Sequence, residues 1–160
     1  MKKLVCLLAV ALLAAACSPK LPDVPKLKSV ELPVVGEDAT WKSDDYKGKP
    51  VLMVFMGSWC PWCKRTIPAV VALNNIYGKR IEVVAAFVDA TPGPVRDVAT
   101  QYGLTVTSLY NANEVSNQLG VQGLPQTMLF DGKHRLVKLW GGYSPNLKQE
   151  VAEEIEKLIK

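Results

Sequence analysis

The chain has 160 residues, of which 49% are hydrophobic, and it carries a formal charge of +4 at pH 7. This length supports one hydrophobic core of ordinary size and gives no support for two domains. The small positive charge gives no reason to expect nucleic acid as a partner.

The N-terminus has the pattern of an export signal. Two lysines precede an apolar run from Leu4 to Ala16, and small residues stand where a signal peptidase would cut. This run is shorter than the ~20 residues that a membrane-spanning helix needs. We therefore expect residues 1–16 to be removed, which leaves 17 basic and 15 acidic side chains.

The sequence LLAAAC, residues 12–17, resembles the lipobox of bacterial lipoproteins, although that family favours leucine where Ala14 stands. The resemblance implies that Cys17 is lipidated and anchors the protein to a membrane. Ser18 resembles the residue found in lipoproteins that move to the outer membrane, so we expect the periplasmic side of the cell envelope. A plain secreted protein that is cut nearby is the alternative.

Residues 17–30 contain Pro19, Pro22 and Pro25 and predict a semi-rigid tether of about 40 Å. A disordered terminus without an anchoring role is the alternative. The single folded domain is expected to occupy residues 31–160. With Cys17 lipidated, Cys60 and Cys63 are the remaining thiols of the exported protein, in a compartment that permits disulfides.

The first predicted elements of this domain make a βαβ unit. Val51–Met56 is apolar throughout and predicts a buried strand. Pro61–Tyr77 has apolar residues at helical spacing and stops before Gly78. Ile81–Val88 predicts a second buried strand, parallel to the first.

The second half of the domain predicts shorter elements. We expect helices at Pro94–Tyr102 and Asn113–Leu119 and strands at Thr105–Leu109, Thr127–Phe130 and Leu136–Trp140, the last two as a hairpin. The last helix is predicted to have Ser144 as its N-cap and Pro145 as its first residue. Its apolar face consists of Leu147, Val151, Ile155, Leu158 and Ile159.

Cys60 and Cys63 are two residues apart at the start of the first predicted helix. This spacing suits a structural disulfide, half of a metal site, or a pair that exchanges electrons. A disulfide that closes so small a loop adds little stability. A metal site needs further ligands, and we expect His134, the one histidine, to be an ordinary hairpin residue.

Several motifs together resemble the thioredoxin superfamily. Trp59 stands directly before the first cysteine, and Pro68 follows the second by five residues. Residues 120–132, GVQGLPQTMLFDG, look like the family's cis-proline segment, with Pro125 as the cis residue. Residues 38–60, DATWKSDDYKGKPVLMVFMGSWC, are similar to the lead-in of the membrane-tethered TlpA, ResA and DsbE group.

This resemblance implies an α/β thioredoxin fold, with a central mixed β-sheet flanked by helices and an N-terminal β-extension. It implies a thiol-disulfide oxidoreductase that needs no cofactor, exchanges electrons with exported proteins, and is re-reduced by a separate dithiol donor. The expected catalytic residues are Cys60 and Cys63. The expected substrate contacts are Trp59, Pro61, Trp62, Leu124 and Pro125, with the Leu124 backbone pairing with extended substrate.

The chain also departs from the family pattern. The buried aspartate of thioredoxins falls at Val54, and its lysine neighbour would fall near Ala85. A glutamate that ResA-like proteins carry after the second cysteine is replaced by Thr66. We therefore expect water to accept the proton of Cys63.

The position of Cys60 before a helix N-terminus is expected to lower the pKa of its thiol, with Lys64 and Arg65 adding positive charge. A shift of ~1.5 units would favour the reduced pair by ~40 mV. Trp62 adds no charge of its own, so we expect a reducing role, in cytochrome c maturation or general thiol reduction. A thioredoxin-like lipoprotein that binds a metal or a partner without catalysis is the alternative.

Overall fold

The computed structural model describes residues 25–160; the predicted signal, Cys17 and the first part of the predicted tether lie outside these residues. The described chain contains strands and α-helices in nearly regular alternation. In chain order they are β1 (Glu31–Pro33), β2 (Thr40–Lys42), β3 (Val51–Met56), α1 (Pro61–Tyr77), β4 (Glu82–Phe87), α2 (Pro92–Tyr102), β5 (Thr107–Leu109), α3 (Asn113–Gln118), β6 (Gln126–Phe130), β7 (Leu136–Gly141) and α4 (Leu147–Leu158).

A five-stranded mixed sheet forms the centre, in the order β5-β4-β3-β6-β7. Strand β3 is parallel to β4 and antiparallel to β6, while β4 is parallel to β5 and β6 antiparallel to β7. A separate antiparallel pair, β1 with β2, precedes this sheet. The predicted mixed sheet, its parallel βαβ pair and the N-terminal β-extension are confirmed.

Strand β3 is buried on both faces, which accounts for its uninterrupted apolar sequence. Alternate residues, such as Val54, pack with α1, α2 and α4 on one face of the sheet. The others, such as Phe55, pack with α3 and the N-terminal segment on the opposite face. The loop that leads from β3 into α1 is therefore anchored at both ends by buried elements.

The described part of the predicted tether packs against the domain. Leu27 is 1% exposed, and its N–H donates to the carbonyl of His134 at 2.9 Å. The N–H of Leu136 donates in turn to the carbonyl of Pro25 at 2.9 Å. Because Leu27 fills the core on the α3 side, the packed domain extends back to residue 25, before the predicted boundary at residue 31.

Helix α4 begins at Leu147, so the prediction of Ser144 as its N-cap and Pro145 as its first residue was wrong. The Ser144 hydroxyl accepts the N–H of Asn146, and its carbonyl accepts the N–H of Leu147, each at 3.2 Å. These bonds close a turn before the helix, and Asn146 takes the N-cap position. The predicted bounds of β3 and α1 agree with the observed ones, and those of the other predicted elements agree to within two residues.

Candidate active site

Cys60 and Cys63 lie at the N-terminus of α1. Cys60 is the N-cap, and Pro61 is the first helical residue, where its missing N–H removes no helical hydrogen bond. The Cα atoms of the two cysteines are 5.2 Å apart, and their sulfurs are within reach of a disulfide bond. The N–H of Cys63 donates to Cys60 Sγ at 3.1 Å. The Cys60 sulfur thus occupies the place of a capping oxygen, where the backbone N–H and the helix dipole favour a thiolate.

The two cysteines differ in access to solvent. Cys60 is 8% exposed, whereas Cys63 is 1% exposed and belongs to the buried cluster on the α1 side of the sheet. Cys60 is therefore the more accessible of the two sulfur-bearing residues.

The predicted cis-proline segment lies against the cysteines. The peptide bond between Leu124 and Pro125 is cis, as the sequence predicted. The carbonyl oxygen of Leu124 is 3.8 Å from Cys60 Sγ. The carbonyl of Pro125 accepts the N–H of Gly142 at 2.8 Å, which ties this segment to the end of β7.

Two exposed tryptophans belong to the cysteine motif: Trp59 directly precedes Cys60, and Trp62 lies between the two cysteines. Trp59 is 62% exposed, and its ring lies against Gly57, where an added Cβ would come within 3.0 Å of the ring. Trp62 is 51% exposed and stacks on Tyr143, with 5.7 Å between the ring centroids. Both rings therefore expose aromatic surface to solvent at the cysteine motif.

A cleft of about 350 Å³ opens beside the cis-proline segment, lined by Trp62, Leu124, Gly142 and Tyr143. Two of these residues, Trp62 and Leu124, are among the sequence-predicted contacts. Sequence reasoning missed Tyr143, because it lies in a short loop after β7 without a motif of its own. The antiparallel pairing of β6 with β7 brings that loop next to the cis-proline segment.

Lys64 and Arg65 direct their charges at aromatic rings. The Nζ atom of Lys64 is 5.6 Å from the ring centre of Tyr102, and Cζ of Arg65 is 4.7 Å from that of Trp62. The group in direct contact with Cys60 Sγ is instead the backbone N–H of Cys63. Stabilisation of a Cys60 thiolate therefore rests mainly on the helix N-terminus.

The buried acid and lysine of thioredoxins are replaced by two apolar residues in contact. Val54 pairs with Ala85 across β3 and β4, and both are fully buried. This register confirms that Ala85 holds the position next to Val54. Thr66 is also buried, and its hydroxyl donates to the carbonyl of Trp62 at 3.0 Å. Val54 and Cys63 belong to the same buried hydrophobic cluster.

Asp89 is a second residue near the site that sequence reasoning did not place there. It follows β4, is 8% exposed, and accepts hydrogen bonds from the backbone N–H and the hydroxyl of Ser58. Ser58 lies two residues before Cys60, and the N–H of Cys60 donates to the carbonyl of Gly57 at 3.0 Å. Asp89 therefore fixes the loop that presents Cys60.

Within residues 25–160, no group of three or more His, Cys, Asp and Glu side chains is placed to hold a metal ion. His134 lies in the turn between β6 and β7, where it is buried and its Nε2 is 3.2 Å from the carbonyl of Tyr46. It is a packed hairpin residue. In the same part of the chain, no helix has the length and hydrophobicity needed to cross a membrane.

Comparison with known proteins gives the family. The Redoxin family model matches residues 19–155, which is most of the chain. The chain belongs to the Redoxin family. Proteins that it resembles carry the names ResA, DsbE and thioredoxin.

Among its relatives, the Redoxin chain is 32% identical over 116 residues to the thiol-disulfide oxidoreductase ResA of Geobacillus thermodenitrificans. The match covers 71% of this chain and 66% of that relative, just under two thirds of its length.

Two solved structures share its fold. A protein of Chlorobium tepidum assigned as the thiol:disulfide interchange protein DsbE has a TM-score of 0.78 and 24% identity, covering 88% of this chain and 100% of that one. A protein of Neisseria meningitidis assigned as a thioredoxin has a TM-score of 0.70 and 26% identity, covering 85% and 89%.

Proposed function

We propose that this protein is a thiol-disulfide oxidoreductase whose Cys60 and Cys63 exchange electrons with protein disulfides. The observation that carries the proposal is the position of Cys60 Sγ. It caps a helix, accepts the N–H of Cys63, and lies 3.8 Å from the carbonyl of the cis-proline segment. The similarity to the thiol-disulfide oxidoreductase ResA supports the same activity.

The reaction starts from the reduced pair. The Cys60 thiolate attacks one sulfur of a substrate disulfide, forms a mixed disulfide, and releases the other substrate sulfur as a thiolate that takes up a proton. Cys63 then loses its proton and attacks Cys60 Sγ, which forms the intramolecular disulfide and releases the second substrate thiol. Two electrons pass to the substrate, and a dithiol donor must return them.

Reduction is the direction that the site favours. One helix N–H contacts Cys60 Sγ, while the charges of Lys64 and Arg65 lie over aromatic rings. The thiolate then has few stabilising contacts, and a weakly stabilised reduced form makes the pair a better electron donor. The role we propose is to keep the thiols of exported proteins or apocytochromes reduced.

Substrate binding is assigned to the surface around Cys60. An extended substrate segment pairs with the backbone of Leu124, next to Pro125. Trp59, Pro61 and Trp62 contact its side chains, since the two tryptophans are exposed and the cleft beside Trp62 is open.

Export and anchoring remain part of the proposal. Residues 1–16 direct the chain out of the cytoplasm, and lipidated Cys17 holds it at the periplasmic side of the envelope, in the outer membrane of a Gram-negative source. The support is the lipobox-like sequence at residues 12–17. Mass spectrometry of the membrane-extracted protein tests this: an acylated N-terminal Cys17 is expected, and an unmodified N-terminus would contradict it.

Insulin reduction with dithiothreitol as donor tests the activity. The purified protein should accelerate insulin precipitation, and Cys60→Ser should abolish that acceleration. His134→Ala, which changes a buried residue away from the cysteines, serves as the control for general disturbance of the fold. An inactive wild-type protein that retains a bound metal after purification would favour the binding-module alternative.

A further inference from the structure

A basic pocket lies at the end of the sheet opposite the cysteine pair. Strand β3 runs from Val51 towards Cys60, and Phe130 pairs with Val51 at the other end of the strand. The pocket is formed just beyond Phe130, around Gly132 and His134. The six residues of β3 span ~20 Å, so this pocket is separate from the site around Cys60.

The pocket has a volume of about 410 Å³ and is strongly positive. Its charged lining residues are Lys26, Lys28, Lys47, Lys133 and Asp44. Asp44 lies 3.3 Å from Lys47 and so offsets that one charge. Within the described residues, no ion pair engages the other three lysines.

The fold holds these lysines in place. Lys26 and Lys28 flank Leu27, which is buried and bonded through its N–H to the carbonyl of His134. The carbonyl of Gly132 accepts the N–H of Gly48 at 2.8 Å, which fixes the turn that carries Lys133. The nearby carboxylate of Asp131 is already paired with Arg135 at 2.7 Å. Three cations are thus gathered at one place by backbone contacts, with little local charge to balance them.

We propose that this pocket docks the domain onto anionic phospholipid headgroups. Clustered lysines next to a membrane attract the negative charge of such lipids. Cys17 precedes Pro25 by eight residues, which reach at most ~28 Å, so a lipid on Cys17 would hold the pocket close to the bilayer. Docking at this end directs Cys60 away from the membrane, towards exported partners. The proposal goes beyond the redox function and does not require Cys17 to carry lipid.

Vesicle binding tests the proposal without the anchor. Residues 25–160 contain both buried clusters and the whole sheet, so a chain that begins at Ser18 keeps every contact described above. This chain is sedimented with phosphatidylcholine vesicles that contain or lack phosphatidylglycerol, at low ionic strength. We expect binding to be at least about tenfold stronger with phosphatidylglycerol, and to fall as salt is added.

A charge-swapped variant assigns the binding to the pocket. Lys26→Glu with Lys133→Glu should remove the preference for phosphatidylglycerol, while Lys64→Glu with Lys148→Glu, at the end of the sheet that carries Cys60, should keep most of it. Urea unfolding checks that both variants fold. Equal binding to the two kinds of vesicle, or equal losses in the two variants, would overturn the proposal. Binding of inorganic phosphate without a preference for phosphatidylglycerol would also overturn it.

Discussion

The carboxylate of Asp89 accepts two hydrogen bonds from Ser58, one from its N–H at 3.0 Å and one from its hydroxyl at 2.5 Å. Asp89 follows β4 and Ser58 follows β3, so the contact joins the ends of two neighbouring parallel strands. Because the carboxylate is buried, it depends on these donors to replace water. The loop that presents Cys60 is therefore held by a polar contact outside the cysteine motif.

Ser58→Ala should lower the free energy of unfolding by about 1–3 kcal/mol, since it removes one donor from a buried carboxylate. Urea denaturation measures this loss. Ser29→Ala is the matched control, because Ser29 donates to Asp44 at an exposed site and should change stability by less than about 0.5 kcal/mol. Equal effects of the two substitutions would show that Asp89 and Ser58 do not stabilise the loop.

Val54→Asp should destabilise the protein by about 3–5 kcal/mol at neutral pH, because the new carboxylate would be buried opposite Ala85 without a charged partner. Burial should raise the pKa of that aspartate, so the folded state would bind its proton more tightly than the unfolded state. The loss should therefore grow as pH rises above about 4. Urea unfolding at acidic and neutral pH measures it, with Val54→Asn as the uncharged control. A loss of stability that does not depend on pH would show that the new carboxylate is not held in apolar surroundings.

Glu82 gives a pH dependence far from the cysteines. Burial raises the pKa of its carboxyl above the ordinary 4.5, although Trp41 donates to it at 3.2 Å and Lys49 attracts it. The stability due to the protonated form is present below 4.5 and is lost as pH rises through the raised value. Glu82→Gln keeps an acceptor for Trp41 without the charge.

The unfolding free energy of Glu82→Gln should therefore increase relative to wild type as pH rises from about 4 to about 7. Denaturant titrations across this range measure the difference. Glu37→Gln, at an exposed position, supplies the baseline for removing a carboxylate. A difference that shrinks with pH would mean that burial does not dominate at Glu82.

Trp62→Ala and Tyr143→Ala should each raise the KM for a disulfide substrate several-fold, because the stacked rings form one wall of the cleft beside Leu124. The double variant should raise the KM by less than the two single effects combined, as expected for side chains in contact. Initial rates of insulin reduction measure KM. Ile76→Ala, an exposed apolar residue near the far end of α1, is the control and should leave KM unchanged.

Much of this fold follows from patterns within short stretches of sequence. The uninterrupted apolar run of β3 predicts burial on both faces, and the helical spacing after Cys60 predicts α1. The cysteine pair and Pro125 were predictable because their motifs are local. Even the position of the missing buried aspartate could be located, since Val54 lies six residues before Cys60 in the sequence.

Other features depend on contacts between distant segments. Tyr143 enters the site because β7 pairs with β6, and Asp89 matters because β4 lies beside β3. The buried position of Leu27 depends on its contact with the hairpin turn at His134, which is distant in the sequence. The local composition, which is rich in proline, indicated only a tether. Ser144 has the residue type of an N-cap, but its hydroxyl accepts the N–H of Asn146 and closes a turn before the helix. Asn146 is the N-cap instead.

The central claim is that Cys60 attacks and Cys63 resolves. Reduced Cys63→Ser is treated with oxidised glutathione, and the product is identified by intact mass and peptide mapping. We predict one stable glutathione adduct on Cys60, while the wild-type protein releases glutathione and ends with a disulfide between Cys60 and Cys63. The absence of an adduct in Cys63→Ser, or an equally fast adduct on Cys63 in Cys60→Ser, would contradict this account.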